Sequence, residues 1–141
     1  MTREELVAYL AAVDATTIHG TLGIRMERVD AAETVVAVDV SDRLFQHAGI
    51  VHGGLFVLLA ESAASLCAAV SGALAHAEVA GMEINANHLR KVTQGTLRAT
   101  ARPLHRGTSS HVYSVEVAND GTLVCIARCT IAVRPRPQMP R

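Results

Sequence analysis

Apolar positions recur at two periods along the chain. Thr34-Val35-Val36-Ala37-Val38-Asp39-Val40 alternates β-branched and small residues, and with Thr21 to Val29 before it and Asp30-Ala31-Ala32 between, it predicts a hairpin of strands Thr21 to Val29 and Glu33 to Val40. Ahead of this, Thr2 to Val13 reads as a short helix, with Thr2 as N-cap and Glu5 as its capping-box partner. A loop from Ser41 to Val51 follows, and then a stretch from Gly54 to about Leu74 that is rich in Leu and Ala, free of proline and interrupted only by Gly72. This predicts one long helix, whose alanines at 60, 63, 64, 68 and 69 let it lie close against a sheet. After Gly81 the period changes to two, predicting strands over Met82 to Val92, Thr96 to Leu104, Thr108 to Ala118 and Thr122 to Val133, joined by short turns into an antiparallel meander. Arg134-Pro135-Arg136-Pro137 is expected to end the sheet, because proline cannot donate to a ladder, leaving residues 134–141 as a tail. The fold class is α+β, an antiparallel sheet with a central helix on one face.

Composition narrows this picture. The 141 residues are 50% hydrophobic and 18% charged, which predicts a single soluble globular domain over residues 1–141, with 1–19 as N-terminal helix and lead-in. A core of that size needs no disulfide or metal, and the composition does not match a disordered chain. Cys67, Cys125 and Cys129 are odd in number and form no CxxC pair, so they read as core thiols in a reducing compartment. The acid-rich start does not resemble a signal peptide, and the apolar run Leu55 to Val70 is broken by Glu61, Ser62 and Ser65, so no membrane span and a cytoplasmic location are expected. The formal net charge is zero, yet Met1 to Leu89 carries four basic and eleven acidic side chains, and Arg90 to Arg141 nine basic and two acidic. The basic half either attracts phosphates or is neutralised by the other half.

Three features offer chemistry. His52-Gly53-Gly54 begins the long helix, where unpaired amides meet the positive end of the helix dipole, so Gly53 and Gly54 could present bare N–H groups to an anion or a carbonyl; two glycines also make a tight turn into a helix. Glu61 is a single carboxylate in an apolar run, either functional or on an exposed stripe, with Ser65 one turn on. Gly53 and Glu61 are eight residues apart, about 12 Å along a helix axis, too far to act on one bond. If both do so, Glu61 comes from a neighbouring subunit, and a two-fold dimer holds two shared sites. The third feature is the turn His105-Arg106-Gly107-Thr108-Ser109-Ser110, with Arg90, Lys91, Arg134 and Arg136 as further donors for phosphate oxygens, or an ordinary hairpin turn with solvated arginines. No histidine or cysteine has the spacing of a zinc motif, so no metal is expected.

Phe45-Gln46-His47-Ala48-Gly49-Ile50-Val51-His52-Gly53-Gly54-Leu55, followed by Leu59-Ala60-Glu61-Ser62-Ala63-Ala64-Ser65, resembles the hot-dog-fold, PaaI-like acyl-CoA thioesterases, in particular the 4-hydroxybenzoyl-CoA thioesterases of the Arthrobacter type. The likeness runs from Gly20 onward through Gly95, the 105–109 turn and Ile131 to Arg136. It implies a helix wrapped by a curved antiparallel sheet, a homodimer with its active site at the interface, and commonly a homotetramer. It further implies that the Gly53 amide polarises a thioester carbonyl, that Glu61 across the interface is nucleophile or general base, that Gln46 lies near the thioester, that Ser65 helps to hold water, and that His52 is mainly a scaffold for the loop. Gly54, Arg90, Thr108 and Ser109, with Arg134 and Arg136 less directly, match positions that hold the substrate and its CoA nucleotide. Coenzyme A is then part of the substrate, and no cofactor is implied. The strand Asn85 to Lys91 lacks the aromatic residues of the 4-hydroxybenzoyl enzymes, and 1,4-dihydroxy-2-naphthoyl-CoA hydrolases and proofreading thioesterases for aryl carrier proteins resemble the chain as well. Two rivals stand beside this reading: a hot-dog hydratase, for which the seven histidines leave room, and a non-catalytic acyl-CoA-binding module. Nucleic-acid binding is disfavoured, since no helix-turn-helix pattern or basic aromatic surface is present.

Overall fold

A computed structural model describes residues 2–72 and 77–135. Helix α1 (Arg3–Asp14) begins with the expected capping box: Thr2 Oγ1 accepts from Glu5 N, and the Glu5 carboxylate accepts from Thr2 N at 2.7 Å. A short helix α2 (Ile18–Leu22) follows, ended by Gly23 in the left-handed conformation. It takes Thr21 and Leu22 out of the predicted first strand, because Thr17 caps a helix there and Gly23 supplies its stop. Strands β1 (Arg25–Val29) and β2 (Thr34–Asp39) form the expected antiparallel hairpin.

Helix α3 (Gly53–Ala69) is the one long helix, and it ends earlier than its composition suggests. Val70 caps it and Gly72 adopts a positive φ, so the apolar stretch continues past the helix; residue 74, the predicted end, lies outside the described residues. The next strand accordingly starts earlier: β3 is Ala77–His88, with a bulge between Gly81 and Glu83 that leaves Met82 exposed. Strands β4 (Thr96–Arg106), β5 (Ser110–Asn119) and β6 (Thr122–Pro135) complete the sheet.

The sheet order is β1-β2-β4-β5-β6-β3, all pairs antiparallel, so the predicted four-strand meander holds only for β4, β5 and β6. The physical reason is the connection after β3. It turns away at Leu89, whose N–H donates to Val124 O, and Val92 O then accepts from Val51 N, carrying the chain across to pair β4 with β2. Nor do Arg134 and Pro135 begin a tail. They close β6, opposite Glu78 and Ala77, since a proline is tolerated at the last position of a strand. Arg136 lies outside the described residues.

Inward-facing Val36, Val38, Leu97, Ala99, Ala101, Val115, Val117 and Ile131 meet Leu59, Ala60, Ala63 and Ala64 of α3 in one core. The alanines let the helix settle into the sheet, the helix-in-sheet arrangement of the hot-dog fold. Cys67, Cys125 and Cys129 are free and buried, and burial pushes the Cys129 thiol up to about 12. On the outer face, acids of the first half neutralise arginines of the second: Glu27 pairs with Arg98 at 2.7 Å and Glu33 with Arg102 at 2.6 Å. Among the described residues, no helix is long and apolar enough to cross a membrane.

Candidate active site

The turn into α3 is built by hydrogen bonds on both sides of it. Gln46 N donates to Ile50 O, Gly49 takes a positive φ, and Gln46 Oε1 accepts from Ala48 N, which closes residues 45–51 into a tight loop. His52 is the N-cap, and its Nδ1 accepts from Gly54 N at 2.8 Å. Gly54 therefore has no bare amide for a ligand, contrary to the expectation from sequence, and the His52 ring is committed to holding the helix end. With Nδ1 accepting, a neutral His52 carries its proton on Nε2. The Gly53 N–H is left without an acceptor among the described residues, at the positive end of a seventeen-residue helix.

Gly53 opens on a depression of ≈ 280 Å³, shared with Gln46, Phe56, His88, Arg90 and Lys91. Arg90 is anchored by donating from one guanidinium nitrogen to Leu123 O at 2.8 Å. His88, at the end of β3, was not singled out from the sequence. It stacks obliquely on Phe56 with centroids 5.4 Å apart, and a Cβ at position 53 would come within 2.8 Å of its Nε2. The signal was the alternation Ile84, Ala86, His88, which continues the inward face of the strand.

Glu61 lies elsewhere. It is exposed, and its carboxylate rests on the backbone of Gly81, where a Cβ would collide with it. With Ser65, Ser62, Leu58, Leu10 and His19 it lines a second cavity of ≈ 550 Å³, within the range of small-molecule sites. One protomer thus separates Gly53 from Glu61 into two depressions, each beside β3: Gly53 at His88 and Glu61 at Gly81.

The proposed phosphate donors are divided as well. Thr108 and Ser109 are exposed in the β4–β5 turn, and Ser109 O accepts from Val133 N, which puts them beside Arg134. Arg90 sits at Val124, nine residues earlier on β6 and roughly 30 Å along the strand. A single chain does not bring Arg90 together with Thr108 and Ser109. Arg98 and Arg102 are occupied by acids, whereas Arg90, Lys91 and Arg134 make no ion pair with a described residue.

Residues 48–126 match the model of the thioesterase superfamily. The chain belongs to the thioesterase superfamily. As a hot-dog thioesterase it is 41% identical over 118 residues to a 1,4-dihydroxy-2-naphthoyl-CoA hydrolase of Listeria monocytogenes, covering 82% of this chain and 94% of that protein. It is 35% identical over 135 residues to the proofreading thioesterase EntH of Klebsiella pneumoniae, covering 93% and 96%. Among solved structures, a mutant of thioesterase PA1618 from Pseudomonas aeruginosa superposes on this thioesterase with a TM-score of 0.86 at 36% identity, covering 92% of this chain and 94% of that one.

Proposed function

We propose that the chain hydrolyses an aromatic acyl-CoA thioester in a site shared by two subunits. The observation that carries this reading is the placement of both half-sites along β3, an edge strand of twelve residues. Gly53 sits at His88 and Glu61 at Gly81, so antiparallel pairing of two β3 strands centred on Asn85, with the bulged Met82 skipped, sets Gly81 of each copy opposite His88 of the other. Glu61 then faces the Gly53 amide of its neighbour, and the same two-fold carries the Thr108-Ser109 turn of one copy toward Arg90 of the other. Pairing also covers a long open edge, which an isolated protomer would expose. A homodimer, assembled further into a homotetramer, in the cytoplasm is the state we infer.

In this site the Gly53 N–H stabilises negative charge on the carbonyl oxygen. Glu61 attacks the carbonyl carbon and the C–S bond breaks to give a mixed anhydride and the CoA thiolate, after which water hydrolyses the anhydride and its proton goes to the thiolate; or Glu61 takes a proton from an attacking water beside Ser65, the C–S bond breaks and that proton goes to the thiolate. The likeness to a 1,4-dihydroxy-2-naphthoyl-CoA hydrolase favours an aryl group larger than 4-hydroxybenzoyl, and the likeness to the proofreading thioesterase EntH supports thioester hydrolysis itself. Thiol release from a panel of 4-hydroxybenzoyl-CoA, 1,4-dihydroxy-2-naphthoyl-CoA, aliphatic acyl-CoAs and an aryl-carrier-protein thioester tests the reading. Turnover of none of them refutes it.

Two substitutions probe the halves separately. Arg90→Ala is expected to raise KM for a CoA ester more than it lowers kcat, since the guanidinium holds an anionic part of the substrate remote from the reacting carbon. Gly81→Ala is expected to leave the melting temperature nearly unchanged and to lower kcat roughly 10–100-fold, because the new methyl group displaces the Glu61 carboxylate while the strand keeps its conformation. An unchanged kcat would mean that this carboxylate position is not the working one.

A further inference from the structure

The larger cavity contains a chain of polar contacts that the mechanism above leaves unused. Ser62 follows Glu61 on α3, and its Oγ lies 2.9 Å from His19 Nε2 on α2. The other ring nitrogen, Nδ1, lies 3.3 Å from Asp14 Oδ1 at the end of α1. That contact is close enough for charge attraction but too poorly aligned for a hydrogen bond, and Nδ1 is buried with no hydrogen-bond partner among the described residues. The His19 side chain is only 14% exposed, so three helices hold it in place.

The carboxylate decides which way these protons point. A neutral imidazole carries one N–H, and Asp14 favours it on Nδ1, leaving Nε2 as an acceptor. The Ser62 hydroxyl then donates to Nε2. A serine inside a helix otherwise tends to bond the carbonyl one turn back, and Ser62 makes no such bond to a described residue. Its lone pairs are free for the cavity that it lines.

A water that attacks a carbonyl carbon aims a lone pair at it, so both of its O–H bonds point away and each needs an acceptor. Glu61 supplies one. We propose that Ser62, oriented by His19 and Asp14, supplies the other, which makes His19 a positioning residue for thioester hydrolysis. Successive helix residues diverge by about 100°, and Ser65 falls between Glu61 and Ser62 one turn on, so the three surround one patch of the cavity wall. The inference rests on the functional reading above, with Glu61 as general base. The water proton passes to Glu61, its oxygen bonds to the carbonyl carbon, the C–S bond breaks and the proton goes to the thiolate sulfur. Ser62 takes no proton and only fixes the water.

The test is steady-state thiol release by the full chain, with 4-hydroxybenzoyl-CoA and 1,4-dihydroxy-2-naphthoyl-CoA as probes. Ser62→Ala and His19→Leu are expected to lower kcat roughly 10–100-fold with KM unchanged, because neither side chain holds the CoA. The double variant is expected to be no slower than the slower single one. His19→Gln, whose amide oxygen accepts the Ser62 hydroxyl in place of Nε2, is expected to recover most of the rate, which a merely structural role would not require. A Ser62→Ala enzyme with wild-type kcat overturns the proposal. So does a His19→Gln enzyme as slow as His19→Leu at an equal melting temperature. Glu61→Gln is run alongside: if it stays active, the general-base reading itself has failed, whereas inactive Glu61→Gln beside fully active Ser62→Ala removes only the role of Ser62.

Discussion

Glu61→Gln is expected to lower kcat for thioester hydrolysis roughly 10²–10⁴-fold while leaving the assembly and the binding of CoA largely intact. Glutamine keeps the size of the side chain and its place against Gly81, but it neither accepts a proton from water nor attacks a carbonyl. The structure makes the substitution mild for folding, since Glu61 is exposed and no described residue pairs with it. Thiol-release kinetics and sedimentation of the same sample check both halves of the expectation. Full activity in the variant would remove Glu61 from the mechanism.

The second large effect is expected at Gly53, where two substitutions isolate one hydrogen. Gly53→Pro removes the amide N–H at the first position of α3, a place where proline suits the helix, and His52 before it already has the extended ψ of 130° that proline demands. Gly53→Ala keeps the N–H and presents a comparable Cβ to His88, so it controls for crowding. The proline variant is expected to be roughly 10²–10³-fold slower in kcat than the alanine variant, the usual loss for one oxyanion donor. A mixing experiment then tests where the partner of this amide resides. When Gly53→Pro and Glu61→Gln chains are co-refolded, each hybrid dimer regains one complete site if the site is shared. No recovery would place both groups within a single chain.

Local features of this fold were legible in the sequence because each depends on neighbours a few residues away. Thr2 and Glu5 close a capping box, the alternation of β2 puts Val36 and Val38 in the core, and the alanines of α3 mark a helix pressed against a sheet. The division of Gly53 from Glu61 was legible too, since helix rise alone sets their distance. Long-range pairing was not. Nothing in Met82 to Val92 says that its strand pairs with β6 instead of β4; that follows from where the connection after Leu89 is anchored. Side-chain orientation was equally hidden: the loss of the Gly54 amide to His52 and the placement of His88 against Gly53 depend on rotamers that no periodicity reports.

The bulge at Met82 has a geometric consequence for both ends of α3. Along a regular strand, residues an odd number apart point to opposite faces, and Gly81 and His88 are seven apart. Both nevertheless face the helix, one under Glu61 and the other beside Gly53. The extra residue between Gly81 and Glu83 changes the parity of the strand: Ala77 and Val79 face inward before it, Ile84 and Ala86 after it. Were all twelve residues forced into a regular ladder, one of the two segments would turn inside out, so a single unpaired residue on an exposed edge is what lets Gly81 and His88, an odd number apart, support two halves of a site on one face.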